Sequence, residues 1–94
     1  MKLEVAQKLV KESGEISNQI EQFKNLLDSV KDNNRIDIEV SNQSIRSYKG
    51  NFEFEQFQKD LRDLLSKTIY IMETRIKEIE DMFKGTKTTT VEKL

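Results

Sequence analysis

Two long stretches in which apolar residues recur every three or four positions flank a short one in which they recur every second position. This change of period divides the chain into its elements. In the first stretch Ala6, Leu9, Ile16, Ile20, Phe23, Leu27 and Val30 fall three and four apart once Ser13 is counted as a polar interruption, the spacing of a coiled-coil seam. Lys8, Lys11, Glu15, Asn18, Glu21, Lys24 and Asn25 form the opposite, solvated face. Gly14 costs about 1 kcal/mol against alanine inside a helix, so Ser13-Gly14 is expected to be either a kink or a break behind a short leading helix. Asp32-Asn33-Asn34 ends the stretch, because asparagine tolerates the left-handed conformation that closes a helix.

Strict alternation follows. Arg35 to Val40 places Ile36, Ile38 and Val40 on one face and Arg35, Asp37 and Glu39 on the other, the pattern of a half-buried strand. Ser41-Asn42-Gln43 has turn character, and Ser44 to Tyr48 is expected to return as a second strand. An isolated two-stranded hairpin is marginal in water, so these strands are expected to pair or pack with something else, such as the same element of another subunit.

Lys49-Gly50 supplies a further turn, and Asn51 is placed to cap the second helix, with Glu53 and Glu55 at its positive end. This helix is predicted to run to about Lys84 and to close at Gly85. It carries two apolar seams: Phe54, Phe57, Leu61, Leu64 and Ile71 form one, and Leu65, Ile69, Met72, Ile76, Ile79 and Phe83 form the other. Their overlap between Leu64 and Met72 makes the middle of the helix apolar over more than one antiparallel partner covers. These residues are therefore expected at contacts between subunits. The domain expected is a single helix-β-helix unit over residues 1–85, followed by a flexible tail over 86–94.

Composition supports this outline. A chain of 94 residues holds at most one domain with a small core, and oligomerisation is a usual remedy. Apolar and charged residues each make up 35%, with no tryptophan and no proline, which suits an extended helical protein. Sixteen basic against seventeen acidic residues give a net charge of −1, which provides no global attraction for duplex nucleic acid or an anionic membrane. Absence of cysteine excludes disulfides and thiolate metal sites. The amino-terminal residues, broken by charges, read as neither a signal peptide nor a spanning helix, so a cytoplasmic protein is expected.

Candidate chemistry is sparse. Without histidine or cysteine, the usual base near neutral pH, the commonest metal ligand and the thiol nucleophile are all missing. Gly14, Gly50 and Gly85 are isolated, so no phosphate-cradling loop exists. Glu73, Glu78, Glu80 and Asp81 sit beside Lys and Arg as a solvated helical face does, against the alternative of a cation site. No catalytic residue, metal ligand or cofactor is expected, and the protein is predicted not to be an enzyme. The stretch Ile45 to Phe52 does combine cations, an aromatic ring and polar donors at a turn. Arg46, Tyr48, Lys49 and Asn51, with Arg35 on the neighbouring strand and Arg62 two helical turns onward, are the candidate ligand-binding residues for a small anion.

The long helix, the alternating segment with its Asn- and Ser-rich turn, and the Lys- and Glu-dense helix from Glu73 to Lys84 resemble small helix-β-helix proteins encoded by bacteriophages of Firmicutes. That resemblance covers architecture over residues 2–84 and implies a viral protein in the host cytoplasm acting by stoichiometric binding. It would inhibit host defence by capping a host protein or sequestering a nucleotide-like signal such as a cyclic nucleotide. The pattern is also similar to prefoldin-type chaperone subunits, whose paired helices are joined by β hairpins.

The fold expected is thus mainly α (α+β): two long antiparallel helices joined by a small β hairpin, assembled as a homo-oligomeric helical bundle. The function expected is capture of a partner or a small anionic ligand, with a prefoldin-like chaperone or coiled-coil adaptor as the alternative.

Overall fold

The computed structural model describes residues 2–92, with side chains as far as Lys84. Helix α1 (Leu3–Asp32) leads into strands β1 (Arg35–Val40) and β2 (Gln43–Tyr48), and helix α2 (Phe54–Glu92) returns antiparallel along α1. The predicted class holds: the chain is mainly helical, with one small antiparallel hairpin between two long helices.

Helix α1 is continuous through Ser13-Gly14, so neither a break nor a separate leading helix exists. Its apolar residues predicted to line one seam are those that turn inward, with Leu9 and Val30 buried and Ala6, Ile16, Ile20, Phe23 and Leu27 half-buried. The helix ends at Asp32, but by a different device from the one predicted. Asn33 is extended, at φ −86° and ψ 151°, and its N–H donates to the Ser29 carbonyl at 3.0 Å. The Val30 carbonyl, one of those a helix end leaves without an intrahelical donor, accepts from Gln58 Nε2 at 2.7 Å. Helix α2 thereby closes the end of α1.

In the hairpin Ile36 pairs with Ser47, Ile38 with Ile45 and Val40 with Gln43, one residue more than the predicted second strand. The loop between them is Ser41-Asn42, with Ser41 at φ 53°. A positive φ at the first central position alone is the sign pattern of a type II′ turn, where glycine is the usual residue. At the far end of β2, Gly50 adopts φ 102°, a conformation that a side chain would strain. Asn51 does not cap α2 with its side chain as predicted. Its carbonyl accepts from the Phe54 N–H at 3.1 Å, while its amide nitrogen donates to Glu53 at 3.4 Å.

Helix α2 continues through Gly85 to Glu92, so the predicted helix stop at Gly85 is corrected. A glycine closes a helix when it turns left-handed; inside one it only weakens it, by about 1 kcal/mol. Residues 93–94 lie outside the described ones. Among the described residues, no helix is long and apolar enough to cross a membrane.

The core follows the joined end of the hairpin. Val30, Ile36, Phe54 and Leu65 form a buried cluster, with Phe23, Leu27, Ile38, Phe57 and Leu61 packed against it. Farther along the shaft Leu9, Ile69 and Ile79 are buried between the helices, and Met72, Ile76 and Phe83 are half-buried. The seam from Leu65 to Phe83, predicted to face other subunits, is therefore covered within the chain by α1. Overall the molecule measures 65 × 26 × 14 Å, a single layer of helices.

Candidate functional site

Two ion pairs define the two broad sides of that layer. On one side Arg75 grips Glu12 with two donors, Nε to Oε2 at 2.6 Å and Nη2 to Oε1 at 3.0 Å, and gives Nη1 to Glu78 at 3.3 Å. On the other, Lys24 Nζ lies 3.4 Å from Glu73. The Arg75 hydrogen bonds hold the Glu12 carboxyl below the usual carboxylate range, and Glu12 in turn raises the already high pKa of Arg75. Helical spacing then assigns the neighbours. Gln19 and Leu26 follow Glu12 at intervals of seven, so they share its side, as do Leu64, Thr68, Ile71, Glu78 and Met82 along α2. Leu3, Val10 and Ser17 share the side of Lys24, with Lys77, Glu80 and Lys84 beside Glu73.

The β ribbon adds to the Arg75 side, where Ile36 and Ile38 border a depression with Leu26, Val30, Leu61 and Leu65. Its inner face is apolar but only its base is covered. Ile36 and Ser47 are 5% and 1% exposed, whereas Ile45 and Val40, nearer the turn, are 62% and 67% exposed. Ser47 Oγ donates to Glu53 at 3.2 Å, which ties the ribbon base to the start of α2. Ile45 overhangs a second depression lined by Gln56, Phe57 and Asp60. Phe52, in the connection to α2, is wholly exposed.

The outer face of the ribbon holds part of the predicted ligand-binding set. Arg35 stands opposite Tyr48, and Asp37 opposite Arg46. Asp37 takes both guanidinium groups, at 3.2 Å from Arg35 and 3.8 Å from Arg46, so the two cations share one carboxylate. Lys49 and Asn51 border a separate hollow with Gly50, Phe52, Glu55 and Gln58, and the Lys49 backbone N–H donates to the Asn34 carbonyl at 2.6 Å. Arg62 is exposed on α2, on the flank turned about 160° from Leu64. The structure therefore brings together Arg35, Arg46 and Tyr48, but spreads Lys49, Asn51 and Arg62 over other surfaces.

Among the described residues, no group of three or more acidic side chains is placed to hold a metal ion. Glu73 is paired with Lys24 and Glu78 with Arg75. Of the predicted interface residues, Phe54 is buried and Phe57 and Leu61 are half-buried by the chain's own ribbon and helices, while Leu64 and Ile71 remain 60% and 66% exposed.

Sequence reasoning missed Glu12–Arg75, which joins positions 63 apart and has no local signal. It also missed Leu26 and the overhang of Val40 and Ile45, although alternation had marked Val40 as apolar-facing. Comparison with known proteins found no matching family model, curated protein or solved structure.

Proposed function

We propose that the protein is a non-enzymatic, homo-oligomeric binding protein that captures a protein partner stoichiometrically at its β ribbon. One observation carries this reading: the apolar inner face of the ribbon runs past the helices that cover its base, leaving Val40 and Ile45 in solvent. Exposed contiguous apolar surface is costly in a small chain, and at a ribbon it suits an apolar protein segment. A small anionic ligand is the less favoured occupant, because Arg35 and Arg46 share Asp37, which offsets half of their charge, and the other predicted cations lie on other surfaces.

Native mass spectrometry of the protein purified from its own cells tests this. The expected result is a discrete oligomer carrying a fixed protein-sized increment, lost in the double variant Val40→Ser, Ile45→Ser and retained in Arg46→Ala, Lys49→Ala. A small-molecule increment with the opposite dependence would replace protein capture by anion sequestration, and a bare monomer would end both.

A chaperone or adaptor role is the second reading. It is favoured by the exposed Leu3 and Val10 at the open end of the helical hairpin, 72% and 63% accessible, where a client could be held. It predicts suppression of client aggregation that is indifferent to the ribbon variants.

A further inference from the structure

We propose that the Arg75 side of α2 is the subunit interface of a two-fold dimer in which a second copy lies antiparallel, centred near residue 73. This rests on the homo-oligomeric part of the proposed function and names the surface and geometry that serve it.

The layer is 14 Å thick, so beyond the ribbon over Phe57 and Leu61 it has no second layer of its own to cover either broad side. The two sides differ. The Lys24 side is edged by Lys24 on α1 and by Glu73, Lys77, Glu80 and Lys84 along α2, as a solvated side should be, with the exposed Leu3 and Val10 toward the open end. On the Arg75 side, Leu26, Leu64 and Ile71 are 51%, 60% and 66% exposed, beside the half-buried Phe57 and Leu61. The principal ion pair there is already satisfied within the chain: Arg75 spends its fork on Glu12 and Glu78. Covering this side would bury no unpaired guanidinium, which lowers the penalty for closing a charged surface.

The ribbon restricts where a second copy can lie. It occupies this side at Phe57 and Leu61, so the stripe left clear of the ribbon begins at Leu64 and continues through the half-buried Thr68, Ile71, the half-buried Arg75 and Glu78 to Met82. These positions alternate by four and three and are symmetric about residue 73. An antiparallel copy sets Leu64 against Met82, Thr68 against Glu78 and Ile71 against Arg75.

Charge selects the same direction. Lys67, next to the stripe, forms no ion pair among the described residues. In the antiparallel arrangement it meets Glu78 of the other chain, whereas a parallel two-fold sets each Lys67 against its own copy. The parallel alternative also stacks both ribbons at one end.

Sedimentation equilibrium and inter-subunit spin-label distances test the proposal. A dimer is expected that becomes monomeric, with at least about a hundredfold weaker self-association, in the double variant Leu64→Glu, Ile71→Glu. Both positions are exposed, so helicity by circular dichroism should be unchanged. Lys67→Glu and Glu78→Lys should each weaken the dimer about three- to tenfold, and the two together should recover most of the loss. Val40→Ser with Ile45→Ser should leave the dimer intact.

The native chain has no cysteine, so single labels can be introduced cleanly. Labels at Tyr70→Cys should lie only about 9 Å apart along the axis, against about 42 Å for Lys59→Cys. Equal axial offsets at the two sites would mean a parallel pair and would overturn the proposal. So would a dimer that survives Leu64→Glu, Ile71→Glu, in which case the homo-oligomeric reading stands and only this surface falls. A wild-type monomer would remove both.

Discussion

The joined end and the open end of this hairpin are held together by different means. At the joined end three elements meet, and Val30, Ile36, Phe54 and Leu65 bury one another while Gln58 closes α1 through the Val30 carbonyl. Toward the open end only two helices are available to each other. Burial there falls on Leu9 and Ile79, and the cross-link is electrostatic, Arg75 on Glu12 with side chains 36% and 37% exposed. The contrast shows why a two-helix layer can be well anchored at one end only. A third element turns an apolar stripe into a core, and without one the chain must use polar contacts or a second copy.

The largest expected effect breaks the joined end. Phe54→Ala removes a ring that is 3% exposed, from the cluster on which all three elements rest. It should cost about 3–5 kcal/mol and unfold much of the population, as read by denaturant titration. Ile79→Ala, at a residue 2% exposed in the shaft, should cost about 2–4 kcal/mol. Its damage should stay local: hydrogen exchange should speed in the shaft around Leu9 and Ile79 while the amides at Val30 and Leu65 remain protected. Uniform acceleration along both helices would show that the two ends are one cooperative unit.

A smaller effect is expected at the ribbon turn. Ser41 holds φ 53°, where a side chain is strained, so Ser41→Gly should stabilise the ribbon by up to about 1 kcal/mol and raise the melting temperature by a few degrees. An unchanged or lower temperature would mean that glycine's greater freedom in the unfolded chain outweighs the relieved strain.

The smallest effect sharpens the electrostatic half of the comparison. Because the folded Glu12 carboxyl titrates below its unfolded range, its pairing with Arg75 contributes above the unfolded pKa and is lost as pH falls through the lowered value. Glu12→Gln should therefore lower the melting temperature at neutral pH, and the gap from wild type should shrink progressively below about pH 4. A gap that is constant with pH would assign the contact to hydrogen bonding without charge.

Much of the fold was legible because periodicity reports which side of an element is dry. The seam from Ala6 to Val30 and the strand from Arg35 to Val40 have the same positions in the chain pattern and in the structure. Helix ends were less legible: Asn33 closes α1 in an extended conformation, and Gly85 lies within α2, because a capping residue permits a helix to stop without requiring it. The candidate binding set was legible only as a local cluster of donors. The pairing of Arg46 with Asp37 depended on strand register, which places Arg46 opposite Asp37 rather than Ile38.

What the sequence determined by itself was the kind and order of the elements, the inward stripe of α1 and the presence of two stripes on α2. These follow from chain-local geometry, 3.6 residues per turn or two per repeat. Only the tertiary structure decided which stripe of α2 α1 covers and which is left open. The Leu65 to Phe83 seam faces inward because it meets α1 with the ribbon folded over Phe57 and Leu61, and the same placement brings Arg75 to Glu12 and exposes Leu64 and Ile71. Two stripes of similar apolarity on one helix are close to equivalent locally. The choice between them is made by the position of the other elements, which no short window of sequence contains.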